Sequence, residues 1–355
     1  MLKMREISLT KSIKVSNYSK PYIIAEIGSN HNGDMELARR IIDKAKECGA
    51  DAVKFQSFDN KSLISKSEYA ANTHYDDSPK KHFGSLEEMV EKYYLRKEQH
   101  IELKEYCNKI DIDFCSTPFS YDEVELLESL EVPFYKVASM DINNFPLLEY
   151  IAKKGKAVVL STGMASLKEI SAAVEIIENT GNSNIILLHC ISIYPPKHED
   201  INLKNITMLQ KAFPYPVGFS DHSIGISIPL ASVALGSCII EKHFTLDKDL
   251  PGWDHEISAD PEEMKQIVQE AKNVHLALGS FNRIVSSDEL EKRKKFRRSL
   301  VVNKDLKAGD VLTEKDILWK RPGTGISPDE IKYVVGRKLN KDKSFDELIN
   351  WEDLN

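Results

Sequence analysis

The sequence has no run of about 18 apolar residues, the length a membrane-spanning helix needs. Its first residues, MLKMREISLTKSIKVS, lack the apolar middle of a secretory signal. Cysteine is scarce. Cys48, Cys107, Cys115, Cys190 and Cys238 are an odd number without CxxC spacing, which argues against a disulfide framework. Reduced, buried thiols in a cytoplasmic protein with no membrane partner are the expectation. Outside Lys292–Arg298 there is no dense basic stripe, and the net charge is −7, so nucleic acid is not expected as a partner. No GxGxxG follows the first strand-like run, which counts against an open dinucleotide-binding sheet.

What is present is repetition. In 355 residues, 41% apolar and 29% charged, short apolar runs alternate with longer amphipathic ones from Tyr22 onward. Eight strands are predicted: Tyr22–Gly28, Ala52–Gln56, Asp113–Pro118, Phe134–Ser139, Ala157–Gly163, Ile185–Ser192, Pro216–His222 and Ser237–Phe244. Between them, Met35–Cys48 carries Leu37, Ile41, Ile42 and Ala45 on one helical face and stops at Gly49. Ser166 and Glu169 form a capping-box pattern before Ile170, Ala173, Val174 and Ile177. This repeat predicts a (β/α)8 TIM barrel over residues 1–285. The last barrel helix is expected at Asp260–Leu278, with Asp260-Pro261 as its start. A charged linker, 286–298, and a small β-rich domain, 299–355, follow. Phe58–Lys97 interrupts the repeat as a long loop after the second strand, polar at Asn72–Lys81 and helical at Leu86–Tyr94. Such loops commonly shape or cover a barrel's active site.

In a parallel barrel the chemistry sits at the C-terminal strand ends. Those ends supply Glu26, Lys54, Gln56, Ser116, Thr117, Lys136, Ser139, Asp141, Ser161, Thr162, Ser192, Tyr194, Ser220, His222, Lys242 and His243. Lysines and hydroxyls converging on one mouth suit an anion with phosphate and carboxylate groups. His222 and His243 fall at matching ends of consecutive strands, VGFSDH and SCIIEKH, and neutral imidazoles there suit a divalent transition metal.

The segments IAEIGSNHNGD, AVKFQ, FCSTPF, YKVAS, LSTGM, LLHCISIYP, GFSDHSIG and EKHFTLD, in this order, resemble the sialic acid synthase family, which includes N-acetylneuraminate, legionaminate and pseudaminate synthases. The tail, from RRSLVV through WKRPGTGIS, resembles that family's antifreeze-like (SAF) domain. The resemblance implies a metal-dependent, phosphoenolpyruvate-using transferase. It would join phosphoenolpyruvate to an open-chain N-acylated hexosamine, giving a nine-carbon 2-keto acid and phosphate. It implies that His222 and His243 hold Mn²⁺, with Mg²⁺ or Co²⁺ as alternatives. Lys54, Thr117, Lys136, Ser139, Ser161 and Ser220 would bind phosphoenolpyruvate. Glu26 would act as general base or orient water, and Gln56, Tyr194 and Asp254 would face the sugar. Arg321 would reach the N-acyl group from the partner of a domain-swapped homodimer, bridged by a linker that spans up to ~45 Å if extended.

Three departures from the family pattern stand out. Asp141 occupies a position where N-acetylneuraminate synthases have Glu, and Ser192 replaces an Asn that some members use for phosphate. PGWDHEISADP (Pro251–Pro261) differs from the usual segment and sets Trp253 beside Asp254. Trp253 either shapes the sugar pocket or packs the loop. Two other functions compete: a Schiff-base pyruvate aldolase using Lys136 or Lys242, and a non-catalytic sugar- or ice-binding protein suggested by the tail.

Overall fold

Eight parallel strands form the first part of the molecule: β1 (Tyr22–Glu26), β2 (Ala52–Ser57), β3 (Asp113–Pro118), β4 (Phe134–Val137), β5 (Ala157–Ser161), β6 (Ile185–Cys190), β7 (Val217–Asp221) and β8 (Ile239–His243). Their order is β3-β2-β1-β8-β7-β6-β5-β4, and β3 lies against β4, so the sheet curls into a nearly closed barrel. All eight strands expected from the sequence are present, some ending a residue or two early. The computed structural model describes residues 5–73, 75–76, 82–280 and 282–355. Of the polar stretch Asn72–Lys81, residues 74 and 77–81 lie outside the described residues.

The strands are buried on both faces, which is why they read as continuous apolar runs rather than alternating ones. Alternation nevertheless decides what each residue meets. Ile23, Ala25, Val53, Phe55, Phe114, Tyr135, Val158 and Leu187 face outward into the layer shared with the helices. Tyr22, Ile24, Ala52, Cys115, Phe134, Val159, Ile186, Leu188 and Ile239 form a separate cluster inside the barrel. The short antiparallel pair Ile7–Ser8 and Lys14–Val15 adds Ile7, Leu9 and Val15 to that cluster.

The helices start and stop where local chemistry requires. Asp34 accepts from the amides of Glu36 and Leu37 at the head of Met35–Cys48, and Gly49 closes it with φ 88°, a left-handed conformation without cost for glycine. The capping box expected at Ser166 and Glu169 heads the helix Leu167–Asn179. Asp260 and Glu263 form another at Pro261–Leu278, and Ser85 and Glu88 a third at Leu86–Tyr93.

The chain divides into two units, Met1–Gly279 and Ser280–Asn355. In the second, Ser299–Val302 pairs antiparallel with Ile317–Lys320. A small core gathers Leu300, Val302, Leu312, Ile317, Val334, Leu339 and Ile349. The segment read as linker is not extended: Ser287–Phe296 is a helix, started by Ser286, whose hydroxyl accepts from the Glu289 amide. Its ten residues span about 15 Å at helical rise, which corrects the ~45 Å reach of an extended chain.

Candidate active site

The parity that fills the barrel's interior with apolar side chains also fills its mouth. Two residues above Ile24 on the same face stands Glu26; two above Ala52 and Cys115 stand Lys54 and Thr117; two above Phe134 and Val159 stand Lys136 and Ser161. Ser220 with His222, and Glu241 with His243, continue the pattern on β7 and β8. These side chains line one cavity of about 260 Å³, together with Gln56, Ser139, Ser192 and Tyr194.

Inside it, charges are paired across strands. Lys54 Nζ lies 2.7 Å from Glu26 Oε2 and donates to Thr117 Oγ1 at 3.2 Å. Gln56 Nε2 donates to Glu26 Oε1 at 3.1 Å. Lys136 Nζ stands 3.5 Å from Glu241 Oε1, which also accepts from Ser220 Oγ at 2.8 Å. Glu241 Oε2 is buried with no hydrogen bond among the described residues. Burial pushes the Glu26 carboxyl up, opposed by Lys54 and reinforced by Glu241. Burial acts the same way on Glu241, but Lys136 and Lys54 outweigh it and hold that carboxyl low. Burial also disfavours the Lys54 cation, yet Glu26 and Glu241 more than compensate and keep it charged.

Hydroxyls complete the cavity floor. The Gly163 amide donates to Ser139 Oγ at 3.1 Å. A Cβ at Gly163 would stand 2.4 Å from Ser192 Oγ and 2.7 Å from Ser139 Oγ, so any side chain would displace this floor.

The histidines meet as the strand ends predict. The rings of His222 and His243 lie 5.5 Å apart between centroids, with Tyr194 4.0 Å from His222 and 6.0 Å from His243. His222 Nδ1 stands 2.8 Å from the Ile191 carbonyl, so Nδ1–H donates there and Nε2 is the nitrogen left for a metal. Burial, and then the nearby charge of His222, push His243 well below the usual imidazole range, which keeps it neutral. Two imidazoles on one wall, His243 held neutral and His222 held up by Cys190 and the Ile191 carbonyl against burial, stand beside a buried Glu241 oxygen that lacks a donor; a divalent cation that displaced the His222 proton would fit there. No group of three or more His, Cys, Asp or Glu is arranged to hold a metal among the described residues. The remaining coordination positions would fall to water and substrate, as in catalytic sites generally.

Two expected site residues of the barrel unit lie off the cavity lining. Asp254 does not line the cavity: it sits behind His243, with Oδ2 3.7 Å from His243 Nδ1 and accepting from Ser29 Oγ at 3.1 Å. Asp141 leaves the strand because β4 ends at Val137 and Ser139–Asp141 turns into a 3₁₀ segment, where Asp141 accepts from Asn144 Nδ2 at 3.0 Å. Arg321 belongs to the second unit, where its guanidinium stacks 4.8 Å over the Phe296 ring. Lys242, counted among the strand-end cations, faces away from the cavity and pairs with Asp221 at 2.8 Å. It therefore cannot be the cavity's Schiff-base amine. The sequence reading missed Glu241 and Cys190 as cavity residues. Parity with His243 and with Leu188 was the available signal. Trp253 packs with Phe58, Val90 and Tyr93 in a satellite cluster from the long loop, which reaches the cavity wall through Phe119.

A parallel barrel whose mouth pairs lysines, carboxylates and hydroxyls beside two histidines defines a class of enzyme that handles anionic substrates. Residues 41–283 match the NeuB family and 297–355 the SAF domain, and the chain belongs to the NeuB family, phosphoenolpyruvate-dependent synthases of nonulosonic acids. An uncharacterized protein of Methanocaldococcus jannaschii is 46% identical over 334 residues, covering 94% of each chain. The N,N'-diacetyllegionaminic acid synthase of Legionella pneumophila is 41% identical over 337 residues, again 94% of each. Among solved structures, the N-acetylneuraminic acid synthetase of Leptospira borgpetersenii in complex with citrate has a TM-score of 0.73 and 38% identity, over 81% of this chain and 95% of that one. No helix among the described residues is long and apolar enough to cross a membrane.

Proposed function

We propose that this enzyme condenses phosphoenolpyruvate with an open-chain, di-N-acylated hexosamine, working in the cytoplasm as a domain-swapped homodimer. The single observation that carries the condensation is the convergence of Lys54, Lys136, Glu26, Glu241, four serines and two histidines on one cavity. The acceptor is suggested by the name of the Legionella relative.

In this reading Lys54, Lys136, Thr117, Ser139, Ser161, Ser192 and Ser220 hold the phosphate and carboxylate of phosphoenolpyruvate. The C2=C3 electron pair forms a bond from C3 to the sugar's aldehyde carbon, and the aldehyde oxygen takes that carbonyl's pair and a proton to become a hydroxyl. Water adds at the electron-poor C2, the C2–O bond to phosphate breaks, phosphate leaves with the bonding pair, and the new C2 hydroxyl loses its remaining proton to become the ketone. Glu26, kept from wandering by Gln56 and Lys54, takes the proton of that water. Gln56 and Tyr194 orient the sugar. His222 and His243 would hold Mn²⁺, which when bound polarises the aldehyde oxygen, an assistance worth several kcal/mol. Arg321 of one protomer closes on the N-acyl group in its partner's barrel.

The test is phosphate release from phosphoenolpyruvate in the presence of a panel of mono- and di-N-acylated hexosamines, with and without Mn²⁺. Release with a di-N-acylated sugar, abolished by chelation, supports the reading. Borohydride trapping of a pyruvate adduct on Lys136 would replace it with an aldolase.

A further inference from the structure

On the side of the sheet opposite the cavity, directly behind the two histidines, lies a buried ion pair that the reaction itself does not use. Asp221 precedes His222 on β7 and Lys242 precedes His243 on β8, and the two are registered partners in the ladder. Their side chains, each 1% exposed, meet at 2.8 Å. Lys242 Nζ also donates to the Ser223 carbonyl, and the second Asp221 oxygen accepts from the Ser223 amide at 3.0 Å. Asp221, Ser223 and Lys242 thus bracket His222 on both sides and tie it to the residue before His243.

We propose that Asp221 and Lys242 are positioning residues that fix the separation and aim of the His222 and His243 imidazoles. Strands alternate, so a cross-link on one face sets the register of the side chains on the other. A buried carboxylate–ammonium pair is no better for stability than well-packed apolar residues of the same volume, so folding alone does not call for one here. And the turn after β7 carries His222's neighbour, Ser223, whose amide and carbonyl are both held by the pair. Past the end of β7, this lock keeps the His222 ring at its place opposite His243.

The inference rests on the reading that the histidines hold a divalent ion, and its test uses Mn²⁺ alone, without substrates. Binding of Mn²⁺ to the full-length enzyme is measured by electron paramagnetic resonance and calorimetry for the parent, for Lys242→Met, and for the paired Asp221→Leu/Lys242→Met variant. Near-ultraviolet circular dichroism monitors the fold. The expected result is a folded paired variant that binds Mn²⁺ roughly 10–100-fold more weakly, the usual effect of removing support from behind metal-binding histidines. The bound-Mn²⁺ spectrum would also change shape. Parent-like affinity in a folded Lys242→Met or paired variant would overturn the inference. So would failure of both to fold, which would assign the pair to folding alone. If the parent itself binds no Mn²⁺, the metal reading falls and this inference falls with it.

Discussion

Glu26 and Lys54 are registered neighbours on β1 and β2, and their charged ends meet at 2.7 Å within the barrel mouth. Burial raises the Glu26 carboxyl and Lys54 is the main influence drawing it back. Lys54→Met removes that pull, so the carboxyl rises further. The acid limb of kcat/KM, set by the need for ionised Glu26, should move to higher pH. The KM for phosphoenolpyruvate should rise as well. Glu26→Gln should lower kcat by roughly 10²–10⁴-fold, the span of general acid–base catalysis, with the fold retained. Full pH–rate profiles of the three enzymes check this. An unmoved acid limb in Lys54→Met would remove Glu26 as the titrating base.

His222→Ala and His243→Ala should each abolish condensation and Mn²⁺ binding while the melting temperature changes little. Both histidines stand at the rim rather than among the apolar layers within the barrel. Metal titration and phosphate release, measured on the same preparations, decide. Normal turnover by a metal-free His222→Ala enzyme would end the metal reading.

The strands were legible because parallel strands buried on both sides leave unbroken apolar runs, and their polar ends marked the mouth. What was less legible turned on parity and on loops. Lys242 counted as a mouth cation until its ladder position beside Asp221 set it on the outer face, while Glu241 entered in its place. A period of two, counted back from His243, contained that answer. Asp254 lies in a loop, where no period operates, and only tertiary contacts with Ser29 and His243 reveal its station. The helix Ser287–Phe296 buries no residue, so hydrophobic patterning was silent there. Its N-cap, Ser286 with acidic Asp288 and Glu289, was the remaining sign.

Trp253 sits among Phe58, Val90 and Tyr93, away from the cavity lining. Its loss would leave the long loop's satellite cluster underfilled. Trp253→Ala should destabilise the barrel unit by about 2 kcal/mol, below the usual cost of a fully buried Trp because this one is only partly enclosed. Sugar preference should be unchanged. Melting curves and KM values for two acceptors test both halves. A shifted preference at unchanged stability would return Trp253 to the sugar pocket.

In the tail unit, Asp353 is 1% exposed at its side chain and pairs with Lys341 and Lys343, each at 2.5 Å, and accepts from the Asn350 amide at 2.8 Å. Burial alone would raise this carboxyl, but the two lysines and the amide outweigh it and hold it low. A depressed folded-state value stabilises fully above the unfolded carboxylate pKa, about 3.9, and that contribution is lost as pH falls through the folded value. The tail's stability should therefore be level from neutral pH to about pH 5 and decline below about pH 4. Asp353→Asn should cost about 3 kcal/mol at neutral pH, because Lys343 is left buried without its counter-charge. It should also flatten the acid decline. Chemical denaturation at several pH values, followed through Trp319 and Trp351 fluorescence, measures both. An unaltered acid profile in the variant would assign the decline to other carboxylates.

The proposed exchange of tails makes a prediction about mixtures of two damaged enzymes. Arg321→Ala and His222→Ala should each be nearly inactive. Unfolded and refolded together, half of the dimers formed at random are mixed. If Arg321 serves the partner's barrel, each mixed dimer joins one intact barrel to one intact tail and leaves the other site doubly damaged. About a quarter of parental activity should then return. If Arg321 serves its own barrel, every site keeps one lesion and nothing returns. Mass spectrometry under native conditions confirms that mixed dimers form, so their presence without recovered activity would rule out the exchange.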